Sequence, residues 1–406
     1  MKMTTNNIPQ GYKDSPLGII PEEWEVKKLR EIAEINPTRK DFISPFVTFL
    51  SMADISEHGG ILKENIIPQN SIKPGLTSFK RGDIIIAKIT PCFENGKGAL
   101  LNNITNEYGF GSTEFHVIRC KQCNLFIYYH TMSYAFRKRL ESQMTGSAGQ
   151  KRVPADSISS YKIPVPPLSE QQKIAEVLST WDKAIEKQSR LIEKLELRKK
   201  GLMQQLLTGK KRLPGFSCEW KTMKLGELFD ERNETNMPAL PLLSITANKG
   251  IILQTESEKK NTSNDDKSKY KRICPNDIGY NTMRMWQGRC ALSKLEGIVS
   301  PAYTIIIPHN NINPYYMEML FKQPFMVYRF WTHSQGLVND TLNCKFPSFS
   351  QVKVIIPDLK EQNAIIEILL SCDTEITLAN QRFESLRQQK KGLMQVLLTG
   401  KNRVIR

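Results

Sequence analysis

Few residues of this 406-residue chain have the types and spacing needed for catalysis. The histidines, at positions 58, 116, 130, 309 and 333, do not form the H-E-x-x-H or H-x-E…C-x-x-C arrangements of zinc enzymes. Residues 208–211 read Thr-Gly-Lys-Lys and do not complete a phosphate-binding G-x-x-x-x-G-K-[ST] loop. We therefore expect no zinc-dependent hydrolysis or deamination and no ATP-driven motor.

Two weaker catalytic patterns remain. Asp14, Glu25 and Lys27 have the loose spacing of a metal-dependent nuclease, but such spacing is common by chance. The run 313–316, Asn-Pro-Tyr-Tyr, approaches the Asn-Pro-Pro-aromatic motif of adenine methyltransferases. It lacks the second proline and a Gly-rich partner loop, so we interpret it as a helix start. The sequence predicts no catalytic centre.

The eight cysteines are scattered, and Cys120 and Cys123 form a C-x-x-C without a second pair at zinc spacing. We expect reduced cytosolic thiols and no metal site. The start of the chain lacks an apolar signal region, and no run approaches the roughly 20 apolar residues of a membrane span. The expected location is the cytoplasm.

The net charge of the chain is +16, from 57 Lys and Arg against 41 Asp and Glu. The excess lies between +2 and +5 in each of the segments 1–169, 170–212, 213–360 and 361–406. A basic surface spread along the chain favours a polyanion, because Lys and Arg displace the counterions condensed on phosphates. The alternative is a basic cytosolic protein without a nucleic-acid partner.

The elements that must position any binding residues follow from an internal repeat. The sequence KKGLMQ at 199–204 recurs at 390–395, and LLTGK at 206–210 recurs at 397–401. The same offset of 191 residues matches Glu170-Gln171 with 361–362 and Asp182 with Asp373, without a gap. Upstream the similarity fades, although Trp24 and Trp220 begin related motifs. The chain is thus two cycles of a divergent domain followed by a nearly identical segment.

The nearly identical segments are predicted to be long helices. Apolar residues recur on alternating steps of four and three for more than four heptads, which is a coiled-coil seam. Both seams are interrupted by a lysine at the same step, Lys199 and Lys390. The predicted helix-pair seam consists of Ile174, Leu178, Trp181, Ile185, Ile192, Leu195, Leu202, Leu206, Ile365, Leu369, Ile376, Phe383, Leu386, Leu393 and Leu397.

 In this seam Leu369 of the second helix occupies the step that Leu178 occupies in the first.

The ends of both helices carry the usual signals. Ser169-x-x-Gln172 and Asp358-x-x-Glu361 are predicted capping boxes, and Gly209 and Gly400 stand where C-terminal caps belong. A helix over 170–208 is roughly 58 Å long at 1.5 Å per residue. Because so long an apolar stripe needs a partner, we expect the two helices to pair antiparallel. The alternative is that each helix packs separately on its own domain.

The two divergent regions are predicted to be α+β domains. Residues 83–87, 115–118 and 303–307 are typical of buried strands, whereas 124–140 and 314–330 are typical of helices. Their aromatic and methionine side chains are expected in the core and not as base-stacking platforms; they are Phe126, Tyr129, Phe136, Tyr315, Met319 and Phe330. The predicted organisation is 1–168 and 213–358 as globular domains, with 169–212 and 359–406 as helical spacers.

These features together resemble the specificity subunits of type I restriction-modification systems. The resemblance rests on residues 166–174, Pro-Pro-Leu-Ser-Glu-Gln-Gln-Lys-Ile, on both KKGLMQ and LLTGK helix ends, and on Pro21-Glu22-Glu23-Trp24. It extends over about residues 20–403 and includes the order domain, helix, domain, helix. The second domain departs from the pattern at 276–280, where Asn-Asp-Ile-Gly-Tyr replaces the Gly-Asp-Ile-Ile-Ile of 82–86.

The resemblance implies two target-recognition domains that each read one half of a split sequence in double-stranded DNA. They would be separated by two long helices in an antiparallel coiled coil, related by a pseudo-two-fold repeat, which sets the gap between the half-sites. Two modification (methyltransferase) subunits would dock on the helices and domains, and restriction subunits would join through them. The chain would have no cofactor of its own, because S-adenosylmethionine, ATP and Mg would belong to these partners.

Side chains for this role are sought in polar, Gly-containing segments that follow strands. Arg and Lys suit guanine edges, Asn and Gln suit adenine edges, and phosphate contacts hold the register. The DNA-binding candidates are Lys88, Thr90, Asn95, Lys97, Gln150, Lys151, Arg152, Asn281, Arg284, Gln287, Arg289, Gln335, Asn339, Asn343 and Lys345. Taken singly, each is more often an ordinary solvated loop residue, so only the set carries the prediction. Two other functions stay open at this point: a complete nuclease or methyltransferase with an unrecognised centre, and a coiled-coil scaffold that binds proteins only.

Overall fold

The computed structural model describes residues 8–38, 44–147, 149–246, 249–257, 265–336 and 341–404. The chain forms two compact units, one made of Met1–Ser189 with Gln381–Arg406 and the other of Arg190–Asn380. Each unit contains one divergent region and one half of each long helix. No helix in the described ranges is long and apolar enough to cross a membrane.

The first unit combines short strands with helices of four to nine residues that precede the first long helix. Its strands are β1 Tyr12–Lys13, β2 Ile20–Pro21, β3 Glu25–Lys28, β4 Ala33–Ile35, β5 Phe46–Leu50, β6 Asn65–Pro68, β7 Thr77–Lys80, β8 Ile84–Ala87, β9 Gly98–Leu100, β10 Tyr108–Gly111, β11 Phe115–Cys120 and β12 Lys162–Val165. Its helices are α1 Leu29–Ile32, α2 Asn124–Met132, α3 Tyr134–Glu141, α4 Ala155–Ser159 and the beginning of α5 Leu168–Leu206. Two four-stranded sheets result, in the orders β6-β5-β10-β7 and β4-β11-β8-β9.

The second unit repeats the second of these sheets. Its strands are β13 Lys221–Lys224, β14 Phe229–Glu231, β15 Leu243–Ile245, β16 Ile251–Leu253, β17 Lys271–Ile273, β18 Ile278–Asn281, β19 Cys290–Leu292, β20 Gly297–Val299, β21 Tyr303–Pro308 and β22 Lys353–Ile356. Its helices are α6 Pro314–Phe321, α7 Pro324–His333, α8 Phe346–Ser350 and the beginning of α9 Leu359–Leu397. The sheet order β14-β21-β18-β19 has the same connectivity as β4-β11-β8-β9 in the first unit.

The central strands of this repeated sheet are buried on both faces, which explains their continuous apolar runs. In β8, Ile84 and Ile86 join one apolar cluster and Ile85 joins another on the opposite face. Ala87 pairs with Phe115 across an antiparallel ladder, as Asn281 pairs with Tyr303 in the second unit. The strands predicted over 83–87, 115–118 and 303–307 are confirmed.

Both predicted helices of the divergent regions are interrupted, so the prediction of one continuous helix in each was wrong. In the first unit the break is Ser133, whose hydroxyl caps α3 by accepting a hydrogen bond from the amide of Phe136. In the second unit, Pro324 lacks an amide hydrogen and begins α7 anew. Asn313 caps α6, as expected of a helix start, by accepting from the amides of Tyr315 and Tyr316.

The aromatic stripes on these helices pack inward, as predicted. Phe126, Tyr129 and Phe136 are buried in the first unit, and Phe330 is buried in the second. Tyr315 and Met319 are partly buried and pack against the same apolar cluster as Phe330. Their contribution is therefore to the stability of the domains.

The two long helices each span 39 residues. Asp358 caps α9 by accepting from the amide of Glu361, as predicted. The capping box at Ser169 was wrong: α5 begins at Leu168, so Ser169 lies in its first turn, and the carbonyl of Pro167 accepts from Glu170 and Gln171. Gly209 and Gly400 end the helices with φ angles of 70° and 73°, a left-handed conformation that favours glycine. The division into segments at 168, 212 and 358 stays a prediction.

Candidate nucleic-acid interface and helix clefts

The DNA-binding candidates of the first unit come from two chain segments that lie side by side. The amide of Val153 donates to the carbonyl of Lys88 (2.8 Å), and the amide of Thr90 donates to the carbonyl of Lys151 (2.9 Å). We call residues 88–97 with 150–152 the first rim. It follows β8 directly, so the rigid buried strand positions it. The structure therefore brings the first-unit candidates together, although the two segments are 53 to 64 residues apart in sequence.

Several side chains of the first rim already have protein partners. Arg152 forms a two-pronged ion pair with Glu114 (Nη2 to Oε1, 2.9 Å), and its guanidinium holds the pKa of that carboxyl below the usual value. Asn95 donates to Glu57 (3.0 Å), and the ammonium group of Lys97 donates to the carbonyl of Met52 (3.0 Å).

Gln150 and Lys151, by contrast, have exposed side chains. Like the exposed side chains of Asn95 and Arg152, they can present donors to a groove or a phosphate.

The candidates of the second unit also converge. The amide of Cys344 donates to the carbonyl of Thr282 (2.8 Å), and Gln335 and Asn343 exchange backbone hydrogen bonds of 2.8 Å. We call residues 281–289 with 335–336 and 341–345 the second rim. Its candidate side chains Gln287, Arg289, Gln335 and Lys345 are exposed, while Asn281, Arg284 and Asn343 are partly buried. Asn339 lies outside the described residues.

The two rims have the same backbone plan and different side chains. The backbone carbonyl of Lys97 accepts from the amide of Ala87 (3.0 Å), and the carbonyl of Arg289 accepts from the amide of Asn281 (3.1 Å). These two cationic residues therefore occupy equivalent positions in the two rims. Arg152 and Asn343 likewise occupy equivalent positions, because Arg152 forms an antiparallel β-bridge with Thr145 and Asn343 forms one with Gln335. A guanidinium in one rim therefore corresponds to an amide in the other, and these groups suit different bases.

The predicted seam positions on α5 and α9 are all buried or partly buried. In the first unit, Ile174 and Leu178 share an apolar cluster with Leu397 and Leu398. In the second unit, Leu206 shares a cluster with Ile365 and Leu369. Within each unit the beginning of one helix thus packs against the end of the other, which is an antiparallel contact.

The lysine that interrupts each seam forms an ion pair across this contact. Lys390 pairs with Asp182 in the first unit, and Lys199 pairs with Asp373 in the second. Asp182 also accepts from the hydroxyl of Tyr129 (2.7 Å), which joins the helix pair to α2. An ion pair made by a seam lysine favours one register of the two helices, because a shifted pairing would leave each charge without its partner.

Each unit also contains a cluster of a tryptophan, a glutamate and an arginine, which was not predicted from the sequence. Glu170 accepts from the indole of Trp24 (3.0 Å) and pairs with Arg403 (2.9 Å). Glu361 accepts from Trp220 (3.2 Å) and pairs with Arg212 (2.6 Å). The tryptophan and glutamate repeats were visible in the sequence, but the arginine is separated from its glutamate by 233 and 149 residues.

An open cleft lies where the helix pair meets the short helices of each unit. The first cleft has a volume of about 690 Å³ and the second about 490 Å³. Six lining positions of the two clefts correspond at the offset of 191 residues. They are Asp182, Ile185, Lys390, Lys391, Met394 and Gln395 in the first cleft, and Asp373, Ile376, Lys199, Lys200, Met203 and Gln204 in the second.

A family model of the type I restriction modification DNA specificity domain matches residues 21–197 and 218–388 of this chain. The chain belongs to this family. The family is one of non-catalytic specificity subunits, and its curated relatives are named specificity subunits of type I restriction enzymes. Two matched copies of one domain agree with the repeat seen in the sequence and in the sheets.

Curated relatives from two organisms are similar to this specificity-family chain. The specificity subunits of the type I restriction enzymes EcoAI and EcoEI of Escherichia coli are 43% and 41% identical over 162 and 165 residues. Those matches cover 38% and 39% of this chain and only 27% and 28% of the relatives, about a quarter of their length. The putative MjaX specificity subunit of Methanocaldococcus jannaschii is 26% identical over 436 residues and is covered to 97%, as is this chain.

Solved structures support the fold. A chain from a study of assembly and conformational transition in a type I R-M system superposes with a TM-score of 0.63 at 18% identity, over 94% of this chain and 99% of that one. The HsdS subunit of Thermoanaerobacter tengcongensis gives 0.51 at 18% identity, over 94% and 98%. At these identities the likeness concerns the fold alone, and it agrees with the predicted mixture of helices and strands in two repeated domains.

Proposed function

We propose that this chain is the DNA-specificity subunit of a type I restriction-modification complex, in which each rim reads one half of a bipartite target. The observation that carries the proposal is the pair of rims: the same backbone plan presents different donors and acceptors in each unit. A repeated framework with altered side chains is suited to reading two different half-sites. The spread net charge of +16 supplies the phosphate attraction that binding to either half-site requires.

Within each rim, we assign groove contacts to the exposed candidate side chains. Lys151 and Gln150 in the first rim, and Gln287 and Arg289 in the second, are exposed donors able to enter a groove. Arg152 can exchange Glu114 for a guanine edge or a phosphate, because its side chain is 44% exposed within the ion pair. The amide-rich second rim favours adenine contacts more than the first rim does.

We further propose that α5 and α9 form an antiparallel coiled coil over their whole length and set the gap between the half-sites. The antiparallel contacts inside each unit and the two seam ion pairs support this arrangement. A helix of 39 residues is roughly 58 Å long, which exceeds the 34–36 Å of one DNA turn. Readers held by such helices can contact grooves in successive turns.

Two modification subunits are proposed to dock at the two clefts, one in each unit, and restriction subunits to join through them. The support is the repeat itself, since identical lining residues suit two copies of one partner. S-adenosylmethionine, ATP and Mg would then be bound by those partners, and this chain would contribute no catalytic group. Double-stranded DNA is the substrate that the assembled complex would methylate or cleave.

The test is a map of methylated adenines in DNA from cells that hold the companion modification subunit with or without this chain. A split motif that appears only with the chain supports the proposal and identifies both half-sites. Replacing Gln150 and Lys151 by alanine should then weaken or relax one half of that motif, while alanine at Gln287 and Arg289 should affect the other half. No motif in cells where the complex is assembled would reject DNA specificity and favour a protein-binding scaffold.

A further inference from the structure

The two clefts share six lining positions but differ in charge at a seventh. Arg387 lines the first cleft, and the residue at the same repeat position in the second cleft is Glu196. Arg387 stands one helical turn before Lys391, and Glu196 stands one turn before Lys200, so each pair lies on one helix face. The first cleft therefore presents two cations on this face, whereas the second presents an anion and a cation.

Arg387 is held in a defined position at the first cleft. Its guanidinium contacts the His58 ring (3.2 Å to Nδ1) and Glu384 (3.1 Å), and it lies over the ring of Phe383 at 5.6 Å. Its side chain stays 34% exposed, so it is available to a partner. A pre-positioned cation loses less conformational freedom on binding than a free one.

An aromatic side chain also distinguishes the first cleft. Tyr134, the first residue of α3, is 64% exposed. The ammonium nitrogen of Lys391 lies over its ring, 5.8 Å from the ring centroid. At the first position of α7 the second cleft has Pro324. Exposed tyrosines beside a cleft are frequent anchors of protein interfaces, and the first cleft is also larger by about 200 Å³, from 690 and 490 Å³.

The lining favours a protein partner over DNA phosphate. Ile185 with Met394 in the first cleft, and Ile376 with Met203 in the second, give both clefts an apolar component. A phosphate would lose hydration against such groups without recovering it, whereas a protein segment can bury apolar side chains there. The repeated exposed lysines, Lys391 and Lys200, then require an acidic group on that segment.

We propose that the two clefts bind two copies of the modification subunit with unequal affinity, that the first cleft is filled first, and that Arg387 and Glu196 set much of the difference. This inference rests on the proposed docking at the clefts. The common segment would insert apolar side chains and place a carboxylate near Lys391 or Lys200. In the first cleft Arg387 attracts that carboxylate, and in the second Glu196 repels it.

The experiment is a titration of the full chain with purified modification subunit, followed by native mass spectrometry for stoichiometry and by calorimetry for affinity. We expect two binding steps that differ by about tenfold or more. With one equivalent of modification subunit, hydrogen exchange should show protection around Tyr134. Protection around Pro324 should follow with the second equivalent. Arg387→Glu should weaken the tighter step about 3- to 10-fold, Glu196→Arg should strengthen the weaker step by a similar factor, and the double exchange should reverse the order of protection.

Arg387→Gln and Glu196→Gln serve as milder controls, and thermal melting of each variant confirms folding. Equal affinities at the two clefts would overturn the inequality. An affinity difference that both charge reversals leave unchanged would overturn the role of Arg387 and Glu196. Either result leaves docking at the clefts intact. Binding that also survives Lys391→Glu with Lys200→Glu would reject docking at the clefts altogether. A loss of DNA affinity with unchanged subunit binding would assign the Arg387 face to phosphate contact.

Discussion

Replacing Leu178 by alanine tests the antiparallel helix contact of the first unit. Leu178 is completely buried in the cluster that also contains Ile174, Leu397 and Leu398. Truncation removes three carbon atoms and leaves a cavity between α5 and the end of α9, so both lost transfer energy and lost packing contribute. Comparable core substitutions cost 2–5 kcal/mol, and for this site we expect the free energy of unfolding to fall by about 3 kcal/mol. That corresponds to roughly a hundredfold change in the unfolding equilibrium.

The assay is urea unfolding followed by circular dichroism, with hydrogen exchange to locate the loss. Leu369 is the repeat equivalent of Leu178 and is also completely buried, so Leu369→Ala should cost a similar amount in the second unit. Leu197 on α5 and Leu378 on α9 are 71% and 59% exposed, and alanine at either should change stability by less than about 0.5 kcal/mol. A loss below about 1 kcal/mol at Leu178, or an equal loss at Leu197, would refute the assignment of the buried face.

Three further outcomes follow from the ion pairs and rims. Asp182→Lys and Lys390→Asp should each lower the melting temperature, and the double exchange should recover much of it; additive losses would contradict a direct pair. Because Arg152 lowers the pKa of Glu114, the ionised Glu114 carboxylate stabilises the folded state at pH values above its ordinary pKa of 4.5. This stabilisation is lost as the pH falls through the lowered pKa of the folded state. Arg152→Gln should therefore reduce the melting temperature at pH 7 and less so as the pH is lowered, whereas a constant difference would exclude the pair as the cause. Exchange of residues 213–358 for those of a related subunit should alter one half of the methylated motif, and a change in both halves would reject independent readers.

The architecture was largely predictable because its signals are local or periodic. A 191-residue repeat, heptad spacing and terminal glycines define α5 and α9 without knowledge of any tertiary contact. The buried strands were predictable for a similar reason, since Ile84 to Ile86 form an uninterrupted apolar run. The errors occurred where a local choice depends on fine geometry. Ser133 ends one helix and caps the next, and α5 begins at Leu168, directly after Pro167, so that Ser169 lies inside the helix.

Candidate binding residues were predictable as sets, but their accessibility was not. Lys88, Gln150 and Lys151 have the residue types and sequence context expected of DNA-binding residues, and their segments do meet at one rim. The sequence did not reveal that Arg152 already pairs with Glu114 or that Lys97 is bound to a backbone carbonyl. Such partners come from distant segments, so no pattern of neighbouring residues indicates them.

By itself, the sequence determined that this protein is a twofold repeat with two long amphipathic helices and a basic character, because net charge follows from residue types and periodicity follows from residue order. Only the tertiary structure decided which residues meet. It pairs each seam lysine with an aspartate 174 or 208 residues away and each Trp–Glu motif with a distant arginine. It also creates two clefts with a common lining and opposite charges at Arg387 and Glu196. These contacts depend on the geometry of chain folding over long separations, which residue order does not display.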